Sequence, residues 1–313
     1  MIEALSVSKK FGSHYAVKNA SFTIGSGERV AFLGRSGAGK TTMMNILTGY
    51  VSATDGSVMV DGIDLFKKPM QAKQKIGYLP HQAPLYLHMT PFEYLDFMCT
   101  VKRVPKARRL ECAADAADRL KLKDKQNSPI KNLSKADRVR TALAGALCAD
   151  PDILICDEPT AGLEPGDITQ IRSVIRDIKK TIIVATSNIQ EVMALCSKVI
   201  IMHEGHIAAQ DALENFSHAA GGKKRVLVRL AAGHDTGLVL LKNIDGVDAV
   251  ECIGTKERDT YDYVVDSYHK DVRADIFKCA AKAGIVLLGL KPQSVTLEDV
   301  FYQLTCQSGG VAV

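Results

Sequence analysis

The sequence lacks tryptophan, long apolar runs and any large excess of charge of one sign. Lys and Arg exceed Asp and Glu by only five residues, which does not indicate a nucleic-acid-binding protein. The longest apolar runs, at 153–156 and 181–186, have the length of strands and fall short of the roughly 18 residues that a membrane-spanning helix needs. The N-terminus has no apolar signal-peptide core. We therefore expect the chain to remain in the cytosol.

A cysteine framework is also missing, since the eight cysteines are scattered and none forms a C-x-x-C pair. Most of them lie among apolar neighbours, as buried free thiols do, so neither a disulfide scaffold nor a zinc site is predicted. The composition is that of an ordinary globular protein, with 46 % hydrophobic and 24 % charged residues.

The length of 313 residues predicts two domains. A break in composition at 218–225 (HAAGGKKR) separates domain 1–220 from domain 221–313. In the first, strand and helix patterns alternate, which is typical of a largely parallel α/β sheet. Residues of about 91–150 carry helical patterns and predict a helical insertion.

The sequence of the second domain predicts the order strand, helix, strand, strand, helix, strand. This order predicts a small α+β, ferredoxin-like sandwich. Thr296 is a plausible N-cap for a last helix. No catalytic constellation is visible, and His269 is expected at the surface, so a dimerisation or regulatory module is the simplest interpretation.

One segment of the first domain carries a specific phosphate-binding signal. A strand at 28–34 is followed by a loop and a helix, with G-x-x-x-x-G-K-[ST] between them. Such loops direct backbone N–H groups at phosphate oxygens, and the positive end of the helix faces the same anion. The Lys supplies charge for the β- and γ-phosphates and the first Thr a hydroxyl for Mg²⁺. The predicted nucleotide-binding residues are Gly34, Arg35, Ser36, Gly37, Ala38, Gly39, Lys40, Thr41 and Thr42.

An acidic pair ends the apolar strand ILIC. Asp157 is positioned to hold Mg²⁺ beside the phosphate loop, and Glu158 to orient or deprotonate an attacking water. An acidic strand end alone is common, and the phosphate loop earlier in the chain favours the functional interpretation.

These motifs, with Gln82 and the run DEPTAGLEP, make the whole first domain resemble the ATP-binding subunit of an ABC transporter. The resemblance implies a P-loop NTPase fold, ATP and Mg²⁺ as cofactors, and a head-to-tail dimer of two such subunits. It implies that Phe11 stacks on adenine, that Gln82 reaches the metal or the attacking water, and that Glu158 is the catalytic carboxylate. A core position is the alternative for Phe11.

The C-terminal region, ending SVTLEDVFYQLT, resembles the tail domain of ABC-2-type exporter ATPases of the gliding-motility and drug-export groups. A separate integral membrane permease is then the implied partner, which places the chain at the cytoplasmic face of the membrane. The partner subunit would be identical or different, and no nucleic acid is expected.

Three sites, one of them a short segment, depart from the family pattern. The LSGGQ-type segment reads Leu133-Ser134-Lys135-Ala136-Asp137, in which Ser134 could still bind a γ-phosphate. The Ala136 methyl could crowd the phosphate or conflict with a positive φ, and Asp137 would be unfavourable if it faced the nucleotide. Ser187 stands where a switch histidine is expected, and Glu164 where an aspartate is expected at the dimer interface.

These departures predict normal Mg·ATP binding with slow hydrolysis, because losing one positioned donor costs about 10²–10³ in rate. The chain would then be an ATPase of reduced activity, or the regulatory partner in a heterodimer. Compensation by nearby residues is the alternative. A non-transport ABC protein is a second class, but such proteins usually have two cassettes or a coiled coil.

Basic residues are concentrated at 102–131, a stretch that contains ten Lys and Arg residues but only four acidic residues. The resemblance places this insertion where the membrane subunit docks, so a basic face there could meet acidic groups or anionic lipid. A solvated helix pair is the plainer interpretation.

Overall fold

A computed structural model describes residues 1–125, 127–218, 224–254, 260–267, 270–293 and 297–306. It divides into two compact units, of which one comprises Met1–Leu213 and the described end of the chain from Leu304, and the other Glu214–Gln303. The domain boundary expected at residue 220, the surface residue His269 and the N-cap Thr296 lie outside the described residues.

The first unit contains two sheets. Strands β1 (Ile2–Phe11), β2 (His14–Ile24), β4 (Asp55–Val60) and β5 (Ile63–Asp64) form an antiparallel sheet in the order β2-β1-β4-β5. The central sheet has the order β10-β9-β3-β8-β7-β6, and only the β9–β10 pair is antiparallel. Its strands are β3 (Arg29–Leu33), β6 (Ile76–Leu79), β7 (Ile153–Asp157), β8 (Thr181–Thr186), β9 (Lys198–His203) and β10 (His206–Ala212). The largely parallel sheet is confirmed.

β3, β7 and β8 are buried along almost their whole length, which explains why they read as short continuous apolar runs. Helices α1 (Lys40–Leu47), α2 (Pro69–Gln74), α6 (Pro165–Asp177) and α7 (Ile189–Leu195) alternate with the strands. The phosphate loop follows the carboxyl end of β3 and Asp157 is the carboxyl end of β7, so they come together at one edge of the parallel sheet.

Between 91 and 150 the described residues form helices and no strand. These are α3 (Pro91–Val101), α4 (Lys106–Arg119) and α5 (Lys135–Leu147), with short 3₁₀ turns at Lys123–Lys125 and Ile130–Asn132. α3 begins with a complete capping box, in which Thr90 and Glu93 satisfy each other's backbone N–H groups.

α8 (Leu213–His218) leads into the second unit, which contains β11 (Lys224–Ala231), α9 (His234–Lys242), β12 (Ala249–Gly254), β13 (Tyr261–Ser267), α10 (Arg273–Lys282), β14 (Val286–Gln293) and the larger part of α11 (Leu297–Cys306). Its antiparallel sheet has the order β12-β13-β11-β14, which is the ferredoxin-like arrangement predicted from the sequence. The unit has its own core, around Val228, Tyr263 and Ile276.

Two expectations from composition can be compared with the structure. The seven cysteines from Cys99 to Cys279 are free, and four of them are buried. Over the described ranges, no helix combines the length and apolar character required to span a bilayer.

Candidate functional site

The loop between β3 and α1 has a backbone that only glycine accommodates at two points. Gly39 has a φ of 98°, and a Cβ there would lie 2.3 Å from the Ala16 carbonyl oxygen. A Cβ on Gly34 would lie 2.7 Å from the carbonyl oxygen of Met202. The loop is therefore pressed against the backbone of β2 and β9.

The turn between β9 and β10 supports this loop from the side. The N–H of Gly205 donates to the Ala38 carbonyl at 3.1 Å, and the Gly205 carbonyl accepts from the N–H of Lys18 at 2.9 Å. The phosphate loop is thus held by a segment far away in the sequence.

Lys40, the first residue of α1, is buried within the loop that it follows. Its Nζ donates to the carbonyls of Gly34 at 2.8 Å and Arg35 at 3.1 Å, and lies 3.7 Å from Oε1 of Glu158. Burial lowers the pKa of Lys40, and the charges of Glu158 and Asp157 oppose that shift. The ammonium is already oriented in the loop, where it can face a phosphate.

Asp157 is the unsatisfied group of this site. It ends β7, is almost fully buried, and neither carboxylate oxygen has a hydrogen-bond partner among the described residues. Burial raises the pKa of Asp157, and the neighbouring Thr41 side chain opposes the rise. A buried carboxylate without partners beside a hydroxyl is a pair of hard oxygen donors, which fits Mg²⁺.

Glu158 adopts a left-handed backbone conformation, with a φ of 50°. Its N–H is held by the Ala185 carbonyl of β8 at 2.8 Å, and its Oε2 accepts from the Thr186 hydroxyl at 3.4 Å. Non-glycine residues rarely adopt this conformation, and its occurrence is typical of functional sites. The turn aims the carboxylate at Lys40.

Two clefts meet at Glu158. The first, of about 480 Å³, combines the phosphate loop with the end of β8; its lining residues are His14, Ala16, Ser36, Gly37, Gly39, Lys40, Thr41, Thr42, His81, Glu158, Ala161 and Ser187. The second, of about 540 Å³, contains Gln82, Asp157, Lys135 and Arg138. Both clefts share His81, Glu158 and Ala161. The predicted residues of the loop, the acidic pair, Gln82 and Ser187 are thus gathered in one region.

Phe11 and Ser134 are not among the residues that line either cleft. Phe11 is 51 % exposed, with Nζ of Lys9 5.1 Å from its ring centroid, so it is not a core residue. Ser134 is exposed and caps α5, accepting from the N–H of Asp137 at 3.1 Å.

The structure shows the surroundings of two residues in the altered LSGGQ-type segment. Ala136 is buried inside α5 and does not have a positive φ, so its methyl causes no conflict of backbone conformation. Asp137 is also buried, and its Oδ1 accepts from Arg140 at 2.7 Å, so its charge is compensated within the chain. Lys135 donates to the Gly162 carbonyl at 3.0 Å. Glu164 is the N-cap residue of α6 and makes no side-chain capping bond.

The sequence interpretation missed three residues near the site. His14 and His81 line the first cleft, and only the position of His81 directly before Gln82 could have indicated it. Glu191 is 1 % exposed and accepts from the Thr160 hydroxyl at 2.6 Å. Burial raises the pKa of Glu191. The side chains of Thr160 and Thr186 and the charge of Arg172 oppose this rise. Glu191 lies on α7, and a single acidic residue in a helix carries no sequence signal.

Comparisons with known proteins identify the family of this chain. The model of the ABC transporter family matches residues 17–161. The ABC transporter ATP-binding protein NatA of Bacillus subtilis (strain 168) is 36 % identical over 204 residues, which cover 64 % of this chain and 83 % of NatA. The linearmycin resistance ATP-binding protein LnrL of the same strain is 27 % identical over 308 residues, covering 97 % of this chain and 98 % of LnrL.

Solved structures show the same fold. A dimeric structure of MJ0796, a bacterial ABC transporter cassette, superposes with a TM-score of 0.63 at 27 % identity and covers 68 % of this chain and 99 % of that one. A second structure of this cassette, in a dimeric post-hydrolysis state bound to ADP and Pi, has a TM-score of 0.62 at 26 % identity. The phosphate loop, the buried Asp157 and these similarities lead to one conclusion: the chain belongs to the family of ABC transporter ATP-binding proteins.

Proposed function

We propose that this chain is the Mg·ATP-binding and ATP-hydrolysing subunit of an exporter whose membrane-spanning permease is a separate chain. The carboxylate of Asp157, buried without a partner beside Thr41 and Lys40, is the observation that carries the proposal. The match to LnrL, a resistance protein by its name, extends over both units and supports an export role.

In this mechanism the loop Gly34–Gly39 and the N-terminus of α1 bind the β- and γ-phosphates through backbone N–H groups. Lys40 adds its charge. Asp157, Thr41 and Gln82 would hold Mg²⁺, which when bound neutralises charge on the phosphate oxygens. Glu158 faces the cleft and accepts a proton from the attacking water. Phe11 contacts adenine from the exposed end of β1, and Ser134 contacts the nucleotide of a second ATP-binding subunit.

Nucleotide binding by the purified chain tests this proposal. We expect calorimetry to detect ATP binding that is tightened by Mg²⁺, and a coupled assay to detect phosphate release. Asp157→Asn should remove most of the Mg²⁺ effect while the fold persists, since the substitution keeps the size of the side chain. The absence of ATP binding by the natural chain would contradict the proposal.

A regulatory, weakly hydrolysing subunit is the second candidate, and the exposed Ser187 favours it, because a serine cannot supply an imidazole or a positive charge. Turnover of tens per second by the purified chain would contradict this candidate. The rate with the co-purified permease separates a subunit that needs its partner from one that does not hydrolyse.

The site where the permease docks is also a proposal. In the basic stretch 102–131, Nζ of Lys102 is engaged with the backbone, because it donates to the carbonyls of Lys73 at 3.1 Å and Ile76 at 2.6 Å. Arg109 likewise donates to the Val104 carbonyl. These two residues stabilise the fold, whereas Arg103 and Arg108, next to them in the sequence, are exposed.

Reversing those two charges tests the docking face. Arg103→Glu with Arg108→Glu should reduce co-purification of the permease at low salt. Arg176→Glu with Lys179→Glu, which reverses two exposed charges elsewhere on the same unit, is the matched control. Equal recovery of the permease with both double variants would leave a solvated helix pair as the correct interpretation.

A further inference from the structure

His81 stands at the junction of the two clefts. On one side it shares a wall with Lys40, Thr41 and Ser187. On the other side it shares a wall with Gln82 and Asp157. Besides Glu158 and Ala161, no other described residue belongs to both walls.

The positively charged side chains around Glu158 are already engaged: Lys135 and Arg138, which line the second cleft, donate to backbone carbonyls. Asp157 and Glu158 are acidic, and the ammonium of Lys40 already donates to two loop carbonyls. The transferred group spreads negative charge over its oxygens in the transition state, so N–H donors facing it accelerate the reaction. The hydroxyl of Ser187 is shorter than an imidazole and stays neutral.

His14, the other histidine in the first cleft, is less suited to this task. It begins β2 and lies near Ala16, whose carbonyl packs against Gly39, and it does not reach the second cleft. His81 precedes Gln82 and lines the second cleft together with Asp157. It also shares both clefts with Glu158.

We propose that His81 is a catalytic residue, whose ring N–H binds the γ-phosphate in the transition state and supplies the imidazole that position 187 lacks. The inference rests on the proposed function, ATP hydrolysis in this cleft. In the step, the water oxygen bonds to the γ-phosphorus while the bond to the β–γ bridging oxygen breaks. Glu158 takes the proton of the water, and ADP leaves with the bridging electron pair. His81 stabilises the negative charge on the phosphoryl oxygens, and no covalent bond to its side chain forms or breaks.

The first experiment compares two histidines of the same loop. His81→Ala should lower kcat about 10²-fold, the typical effect of one positioned transition-state donor, and leave the Kd for Mg·ATP within about twofold. His88→Ala is the matched control, because His88 is exposed and belongs to neither cleft. Equal rates for His81→Ala and the natural chain would overturn the proposal, as would equal losses in both variants.

The second experiment moves the imidazole. Ser187→His should restore a large part of kcat in the His81→Ala background and change the natural chain far less, since the donor is then already present. No recovery in the double variant would contradict the proposal, because a merely structural role for His81 predicts that result.

The experiments distinguish a failure of the proposed function from a failure of the proposed role of His81. A natural chain that does not bind Mg·ATP contradicts the proposed function. A natural chain that binds and hydrolyses ATP, and keeps its kcat after His81→Ala, contradicts only the role of His81. Binding without turnover by the natural chain also contradicts that role and favours the regulatory candidate.

Discussion

At the scale of single residues, Gly39 allows a direct test of why the phosphate loop needs glycine. Gly39→Ala combines a left-handed φ with a clash against the Ala16 carbonyl, whereas Gly37, with a φ of 83°, has open space where a Cβ would lie. We expect Gly39→Ala to abolish ATP binding in calorimetry. Gly37→Ala carries the strain of about 1–2 kcal/mol without the clash, and should weaken binding far less. Equal losses would mean that strain alone matters.

The roles of residues within a contiguous motif could be predicted from the sequence, whereas the roles of isolated residues could not. The spacing of Gly34 to Thr41 requires a particular loop, so its chemistry is readable before the fold is known. His81 and Glu191 acquire meaning only through neighbours that folding brings to them, such as Glu158 and Thr160. Asp137 shows the same limit, because its partner Arg140 decides where its charge lies.

At the scale of elements, α7 contributes a buried carboxyl group, that of Glu191, which makes stability depend on pH. The pKa of Glu191 is raised above 4.5 by burial, with Arg172 and two hydroxyls opposing the shift and the Glu158 charge reinforcing it. The folded chain therefore holds this proton to a higher pH than the unfolded chain does. The free energy of unfolding should fall as the pH rises from about 4.5 through the raised value.

Urea unfolding of the apo chain at a series of pH values measures this slope. Glu191→Gln cannot titrate, so we expect it to show a smaller decrease over the same range. Part of the slope should remain, because burial also raises the pKa of Asp157. Identical slopes for the variant and the natural chain would contradict this assignment.

α5 and α6 are joined by one arginine. Arg140 donates to Asp137 at 2.7 Å and to Gln170 at 2.5 Å, and its side chain is 12 % exposed. Arg140→Ala leaves a buried carboxylate unpaired, and we expect a loss of about 3 kcal/mol in the free energy of unfolding. Adding Asp137→Asn should recover part of that loss in the same urea titration. A double variant as unstable as the single one would mean that the contact to α6 dominates.

Long periodic or fully apolar elements were predictable, and short ones were not. The buried strands β3, β7 and β8 and the helices α6 and α7 match the sequence patterns. The small α2 and the two-residue β5 have too few residues to show a period. Their positions depend on packing against the sheets.

At the scale of the whole molecule, each unit has a hydrophobic core of its own. Calorimetric unfolding should therefore show two transitions, which violates the two-state approximation. Mg·ATP at 100 times its Kd should stabilise the unit with the phosphate loop by about 2.7 kcal/mol and leave the other transition unchanged. One transition that moves as a whole would contradict independent units.

The overall architecture was predictable as a type, although the neighbours of each strand were not. Alternating strands and helices predict a parallel sheet, but they do not reveal that β3 lies between β8 and β9. That order arises from tertiary packing between distant segments.

This order has a consequence for a chain still being made on the ribosome. When residue 150 has been added, every letter of the phosphate-binding motif exists, yet both strands that flank β3 and the Gly205 turn that supports the loop are still to come. ATP in the cell therefore cannot rescue a prematurely terminated chain, however complete its motif. The cassette gains its ligand, and the protection that the ligand brings, only after the turn at Gly205 has been added.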